Sequence, residues 1–342
     1  MPLAAPMSTP DRPRCLICGS AALPHLARDG YQLYRCGLCG FMFVWPTPAP
    51  AELADYYART YAVPRERYAA AIASHARRIA DLERWMPERG RLLEVGASYG
   101  HGLAIARARG WQVAGVELSP EAAACARARF RLEVFAGDLL DAPFAEESFD
   151  AAVMWHVLEH THDPRAQLGR VLRLLRPGGV LGVRVPNIAS FGARVAGRSW
   201  AWLSPPAHLW YFSPATLPRL LAQLGFEVIE VATLRGDGTN PYQHALIGAG
   251  ARLRAWGSLL RGRRSTVRTS EQGPGVHPSP WNGDQHIERR ALNVSLERRA
   301  WAGLLRRMQP ATEALAQLTA PALERFEAAG WGDELLVYAR RE

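Results

Sequence analysis

The chain has 342 residues, 48% of them hydrophobic, which suffices for one substantial core plus a small accessory module. No apolar run is long enough to span a bilayer, so a membrane-spanning helix is excluded. The formal net charge is +9, yet all 41 basic residues are arginine, a coding bias that does not by itself assign a nucleic-acid partner.

Residues 1–13, rich in proline and alanine, read as a disordered tail. Cys15-x-x-Cys18 and Cys36-x-x-Cys39 follow, with seventeen residues between the pairs. Two such knuckles present four thiolates to one Zn²⁺ and leave no open coordination position, so the metal is structural and residues 14–46 form a zinc ribbon. A segment of about 35 residues is too short to build its own core, and zinc binding contributes roughly 10–16 kcal/mol to folding it. Disulfides or a redox pair are the competing assignment. No signal-peptide pattern precedes the cysteines, so a reducing, cytoplasmic compartment is expected. Thr47 to Arg89 reads as a helical connector whose Tyr56, Tyr57 and Tyr61 pack or form a lid. Cys125, in an alanine-rich helix, is a small core residue.

From Leu92 to Gly102 an apolar strand runs into a turn of small residues that also opens a helix. The pattern is E-x-G-x-S-x-G-x-G, carried by Glu94, Gly96, Ser98, Gly100 and Gly102. Glu117 follows Gly96 by twenty-one residues, the usual distance for a carboxylate that grips two ribose hydroxyls. A dinucleotide site would place a pyrophosphate on the helix N-terminus, where Glu94 would repel it. The acid suits a cationic amino-acid end instead. In these residues the chain resembles the class I S-adenosylmethionine (SAM)-dependent methyltransferases, over roughly residues 90 to 342. Ser98 stands where that family usually has glycine. The resemblance implies an α/β, Rossmann-like, doubly wound seven-stranded sheet with SAM as cofactor.

Strands are expected at Leu92–Gly96, Val113–Leu118, Leu132–Asp138, Phe149–Val157, Val180–Pro186, Phe226–Thr233 and Asp333–Arg340. Arg176-Pro177-Gly178-Gly179 is the expected turn into the fifth. Ser119-Pro120, Asp163-Pro164 and Ser213-Pro214 mark helix starts, each an N-cap acceptor followed by a proline whose missing N–H costs nothing there.

By resemblance, Asp138 accepts a hydrogen bond from the adenine amino group, with Leu139 nearby, although a turn or helix-capping aspartate is the alternative. Leu118 joins Glu117 in the cofactor-binding set. Trp155 and His156, where the fourth strand finishes, line the cofactor pocket, and Asp150 at its start is structural. Three readings of His156 to His160 stay open. Glu159 and His160 shape the site as part of a turn common in the superfamily; or His160 or His208 acts as general base on an acceptor hydroxyl. In the third, the segment binds a divalent ion, as the E-x-x-E-H of ubiquinone-pathway and small-RNA methyltransferases does. His156 in place of the first Glu makes that site nitrogen-rich and less suited to Mg²⁺.

Trp200 to Ser213 is denser in aromatics than a surface connection requires, and is expected to cover the acceptor pocket. It is similar to the P-x-H-L-x-x-F-S stretch of the bacterial methyltransferases known as methyltransferase domain 23, frequent in polysaccharide and natural-product pathways. A basic insertion is expected at about 236–331, between the sixth and seventh strands. From Arg252 to Arg307 it holds twelve Arg against four Asp or Glu. Ala245 to Leu260 reads as an interfacial helix and Arg261 to Asn282 as a loop, a surface for anionic lipid, a nucleotide diphosphate or RNA, or simply a solvated face.

Together these readings imply transfer of a methyl group from SAM to a small-molecule acceptor, a sugar, glycan or natural-product intermediate. Oxygen is favoured over carbon, because a carbon acceptor needs a carbanion and the H-G-G-S motif of sugar C-methyltransferases is not found. Two alternatives remain. One is an RNA methyltransferase docking through the arginine-rich insertion, although the ribbon itself carries only Arg14, Arg28 and Arg35. The other is a non-catalytic, zinc-dependent interaction protein with a degenerate cofactor site.

Overall fold

The structure, a computed structural model, describes residues 12–53, 56, 72–235, 324, 325 and 327–342. Residues 1–11 of the expected tail, Tyr57, Tyr61 and residues 236–323 of the expected insertion lie outside the described residues.

The N-terminal segment is a small antiparallel meander of β1 (Ala22–Arg28), β2 (Tyr31–Cys36) and β3 (Met42–Val44). Asp29-Gly30 makes its first turn with both φ angles positive, 51° and 86°, the pairing that a two-residue hairpin loop demands. The principal domain begins with α1 (Ile72–Glu83) and continues through β4 (Arg91–Val95), α2 (His101–Ala108), β5 (Gln112–Glu117), α3 (Pro120–Phe130), β6 (Glu133–Ala136) and β7 (Phe149–Trp155). It continues with α4 (Pro164–Leu174), β8 (Leu175–Pro186), α5 (Phe191–Ala196), β9 (Trp210–Tyr211), α6 (Leu217–Gln223), β10 (Phe226–Leu234) and β11 (Glu334–Arg341).

Seven strands lie in the order β10-β11-β8-β7-β4-β5-β6, with β4 through β8 parallel and β11 antiparallel to both neighbours. This is the expected doubly wound sheet with its closing hairpin. The two-residue period of a strand sends alternate side chains to opposite faces. Thus Ala151, Val153 and Trp155 of β7 join Leu336 and Tyr338 of β11 in a core sealed by Ile79 and Leu82 of α1. Ala152 and Met154 join Leu335 and Val337 on the other face, sealed by Leu168 and Val171 of α4 and Leu220 and Leu221 of α6. Apolar residues of the ribbon, Ile17, Leu33, Phe41 and Phe43 among them, belong to that second core.

Two local expectations are corrected. Ser213-Pro214 does not start a helix; α6 begins at Leu217 with Thr216 at its N-cap. Pro218 fixes this, because a proline tolerated in the first turn would break a helix already begun at Pro214. The Arg176-Pro177-Gly178-Gly179 run is not a separate turn before the fifth strand. It is absorbed into β8, where the register shifts between the Phe149–Leu175 and Ala151–Val180 pairs.

Candidate functional site

The parallel strands end together on one edge of the sheet, where ligands bind in open α/β folds. At the tip of β4 the chain turns through Gly96, φ 78°, where a Cβ would stand 2.4 Å from Val157 Cγ2. Ser98 adopts φ 49°, the left-handed conformation that glycine would take at no cost, and donates its N–H to Glu117 Oε2 at 2.7 Å. Gly100 is the N-cap of α2. A Cβ on Gly102 would lie 2.6 Å from Glu94 Oε1, so the absence of a side chain lets that carboxylate lie against the helix.

Glu94 is 5% exposed, and Oε2 is buried without a hydrogen-bond partner. Burial pushes its carboxyl up to about 8; Arg78, from α1, pulls in the opposite direction and Glu117 adds to the rise. Glu117, at the end of β5, accepts the Ser98 N–H through Oε2 and the Ser119 N–H through Oε1 at 2.8 Å. Burial raises its carboxyl as well, while these amides hold it down. Leu118, the next residue, is 56% exposed.

Asp138 follows β6. Its Oδ1 accepts the Leu140 N–H and the Gln167 amide, each at 2.8 Å, and so caps the short turn Leu139–Asp141. Leu139 is buried in the core, whereas its neighbour Leu140 is half-exposed. Asp150, at the start of β7, binds the Arg91 N–H and the Arg176 guanidinium, each at 2.6 Å.

The Trp155 side chain packs over Gly182 beneath α1. His156, the next residue, stands at φ 57°, which turns its ring away from that core. Nδ1 lies 3.5 Å from Glu159 Oε1 and Nε2 lies 3.3 Å from Glu334 Oε2. Burial alone would lower this imidazole, but Glu334 and Glu159 more than offset it and its protonated form is favoured. Glu334 also pairs with Arg184. Burial opposes its ionisation, yet His156, Arg184 and Arg78 hold its carboxyl well below the usual range.

Glu159 and His160 occupy the short turn after β7, and His208 reaches them from the aromatic segment. Glu159 is 1% exposed, and neither carboxylate oxygen has a hydrogen-bond partner. His160 Nε2 is 3.9 Å from Glu159 Oε1. His160 Nδ1 donates to the Ala207 carbonyl and His208 Nδ1 to the Trp202 carbonyl, each at 2.7 Å, which puts a ring proton on Nδ1 in both. Burial lowers the His160 imidazole and Glu159 only partly restores it, so the ring is neutral at pH 7. One donor atom from each of Glu159, His160 and His208 lies within 4.8 Å of the others, a set able to hold a divalent ion. Trp202 lies between two imidazoles, its ring stacked 5.7 Å from His156 and 5.8 Å from His208.

Three residues here were not read from the sequence: Arg78, Arg184 and Glu334. An acid leading the apolar run Leu335–Ala339 of the C-terminal strand was the available signal for Glu334. Nothing in the helical pattern separated Arg78 from Arg77.

The Sγ atoms of Cys15, Cys18, Cys36 and Cys39 also lie within 4.8 Å of one another, with Cys15–Cys39 and Cys18–Cys36 at 3.4 Å and Cys18–Cys39 at 3.7 Å. A disulfide would bring two sulfurs to about 2.05 Å. Four thiolates at about 2.3 Å from one tetrahedral zinc stand about 3.8 Å apart, and the observed set fits that ion.

A family profile described as a methyltransferase domain matches residues 65–231. An O-methyltransferase of Aspergillus nomiae is 31% identical over 169 residues, covering 45% of this chain and 72% of that protein. A Mycolicibacterium smegmatis protein named "Probable S-adenosylmethionine-dependent methyltransferase" is 33% identical over 140 residues, 40% of this chain. The chain spans about half, 52%, of that relative's length. Among solved structures, a SAM-dependent methyltransferase from Thermotoga maritima shares 25% identity at a TM-score of 0.41, covering 55% of this chain and 87% of that one.

Proposed function

The chain belongs to the class I SAM-dependent methyltransferases, and from that premise we propose that it methylates an oxygen of a small-molecule acceptor of the sugar, glycan or natural-product class. The observation that carries this reading is the neutral His160 imidazole in the turn after β7, its proton held on Nδ1 by the Ala207 carbonyl and its Nε2 3.9 Å from Glu159 Oε1. The A. nomiae relative, an O-methyltransferase by name, supports oxygen over carbon.

SAM, when bound, supplies a methyl group on a sulfonium that is already a good leaving group. The residues present fit it. Glu94 offers a buried, unbonded carboxylate oxygen to the ammonium. Arg78 supplies the opposite charge for the carboxylate. Glu117 takes the ribose hydroxyls, Gly96, Ser98 and Gly100 give close backbone approach, and Leu118 and Leu140 present apolar surface to the base beside Asp138. Holding the two reactants in line supplies on the order of 7–11 kcal/mol, and a general base adds about 10²–10⁴-fold. His160 or His208 removes the acceptor proton through Nε2, with Glu159 stabilising the imidazolium that forms.

A second reading has one specific observation in its favour. Two imidazoles anchored through Nδ1 on backbone carbonyls, beside a carboxylate with no hydrogen-bond partner, is how ligands of a divalent ion are held. Such an ion would bind at Glu159, His160 and His208 and orient acceptor oxygens. The nitrogen-rich set suits Zn²⁺ better than Mg²⁺.

The test is transfer of label from methyl-labelled SAM into extract separated into RNA, lipid-linked and small-molecule fractions, with Glu117→Ala as control. Label in a small-molecule or lipid-linked fraction, lost in the variant, supports the proposal; label in RNA refutes it.

A further inference from the structure

The ribbon and the His208 segment share a sheet. β9, two residues past His208, pairs antiparallel with β3, matching Met42 with Tyr211 and Phe43 with Trp210. Val44 donates its N–H to the Leu209 carbonyl at 2.9 Å. Side chains reinforce the seam, since Trp210 stacks on Phe41 at 6.3 Å and on Phe43 at 6.0 Å, and Phe212 meets Phe41 at 5.3 Å. Phe41 lies two residues beyond Cys39, and the N–H of Cys36 is bonded to its carbonyl at 2.8 Å.

On its other side the same segment grips the candidate catalytic cluster. Leu209 donates its N–H to the Glu159 carbonyl at 2.8 Å, Trp210 Nε1 donates to the Thr161 carbonyl at 2.7 Å, and Tyr211 Oη donates to the His208 carbonyl at 3.0 Å. The first knuckle is clamped independently, its Leu16 carbonyl bound by Arg165 at 2.8 Å and its Ile17 carbonyl by Gln223, also at 2.8 Å. The contacts therefore run from the cysteines through Phe41, Phe43 and Trp210 to His208 and Glu159. None of these bonds involves Glu94, Gly96, Ser98 or Glu117.

We infer that the zinc ribbon is a positioning element of the acceptor side of the site: the metal fixes the second knuckle, Phe41 and Phe43 fix β9, and β9 fixes His208 against Glu159. The inference rests on the zinc assignment and on the site proposed above. A folded ribbon is then required for an ordered acceptor wall and not for cofactor binding. The ribbon also shares one core with the second face of the sheet, but its hydrogen-bonded connection to the site runs only through the His208 segment and the turn that carries Glu159, so its effect on the site falls on the acceptor side.

The experiment compares the full chain as purified, the chain stripped of zinc by a chelator, and Phe43→Ala, which leaves all four cysteines in place. Two quantities are read: amide hydrogen exchange across residues 203–212, and affinity for S-adenosylhomocysteine by calorimetry. Exchange at Leu209 and its neighbours is expected to rise tenfold or more on zinc removal and in Phe43→Ala, with Phe43→Tyr restoring protection. Affinity for S-adenosylhomocysteine stays within threefold throughout. Unchanged exchange in 203–212 after zinc removal would overturn the inference, and so would loss of S-adenosylhomocysteine binding together with the segment's protection. A chain that never binds S-adenosylhomocysteine would instead sink the cofactor reading, leaving the exchange data to judge the ribbon.

Discussion

The carboxylate of Glu117 accepts the N–H of Ser98 at 2.7 Å, tying the end of β5 to a loop residue held at φ 49°. Ser98 is where the chain departs from its family, and the bond shows how the departure is accommodated, because the contact uses the backbone and not the side chain. Ser98→Gly should stabilise the protein by about 0.5–1 kcal/mol by relieving the left-handed backbone, with S-adenosylhomocysteine affinity unchanged within about twofold. Ser98→Pro removes the N–H and should cost affinity. Thermal melts and calorimetry on the two variants check both; a large loss of binding in Ser98→Gly would show that the hydroxyl itself is used.

Glu94 should make cofactor binding and stability depend on pH in opposite senses. Its carboxyl, raised to about 8 by burial, is protonated at neutrality, so the empty protein holds a proton that the unfolded chain gives up above about 4.5. That contribution to stability is full below the unfolded value and is lost as pH rises through about 8, on the order of a few kcal/mol in all. An ammonium needs the ionised acid. S-adenosylhomocysteine affinity should therefore rise with pH between 6 and 8, by up to about tenfold per unit, with proton release visible when calorimetry is repeated in buffers of different ionisation enthalpy. Glu94→Gln should flatten the dependence, weaken binding and raise the melting temperature at pH 8.5.

The strands of the principal sheet and the motif at β4 were legible because strand endings and small-residue turns are local signals. The acid at Glu94 pointed toward a cationic ligand end, and the spacing of the cysteines implied their convergence. What eluded sequence reasoning is long-range. Pairing of β3 with β9 joins residues 42 and 211 across the whole first half of the principal domain, and a two-residue strand has no periodicity to detect. The pairing of Glu334 with His156 and Arg184 is likewise a product of the closing hairpin. The helix start at Ser213-Pro214 misled because the local cap signal competed with Pro218, four residues on.

The pH profile of methyl transfer separates the roles of His160 and the divalent ion. Burial lowers the His160 imidazole from its ordinary value, so as a base it is already deprotonated below pH 6.5; the rate should climb through the acidic range and level before neutrality. His160→Gln should reduce kcat by about 10²–10⁴-fold with cofactor affinity intact. Metal analysis should then return one zinc per chain, held by the four cysteines, in both wild type and Glu159→Gln. A second metal equivalent that disappears in Glu159→Gln would replace the base with a metal-held acceptor.

Arg78 is the buried cation that serves both Glu94 and Glu334, lowering each carboxyl. If it also receives the cofactor's carboxylate, its removal should be felt only by ligands that carry one. Arg78→Met keeps most of the side-chain volume on α1 and removes the charge. Affinity for S-adenosylhomocysteine should fall by about ten- to a hundredfold, the worth of one charged hydrogen-bonded contact, while methylthioadenosine, which lacks the amino-acid end, binds as before. Parallel weakening of both ligands would mean that Arg78 acts through the fold, holding Glu94 in place, and would return the carboxylate to another partner.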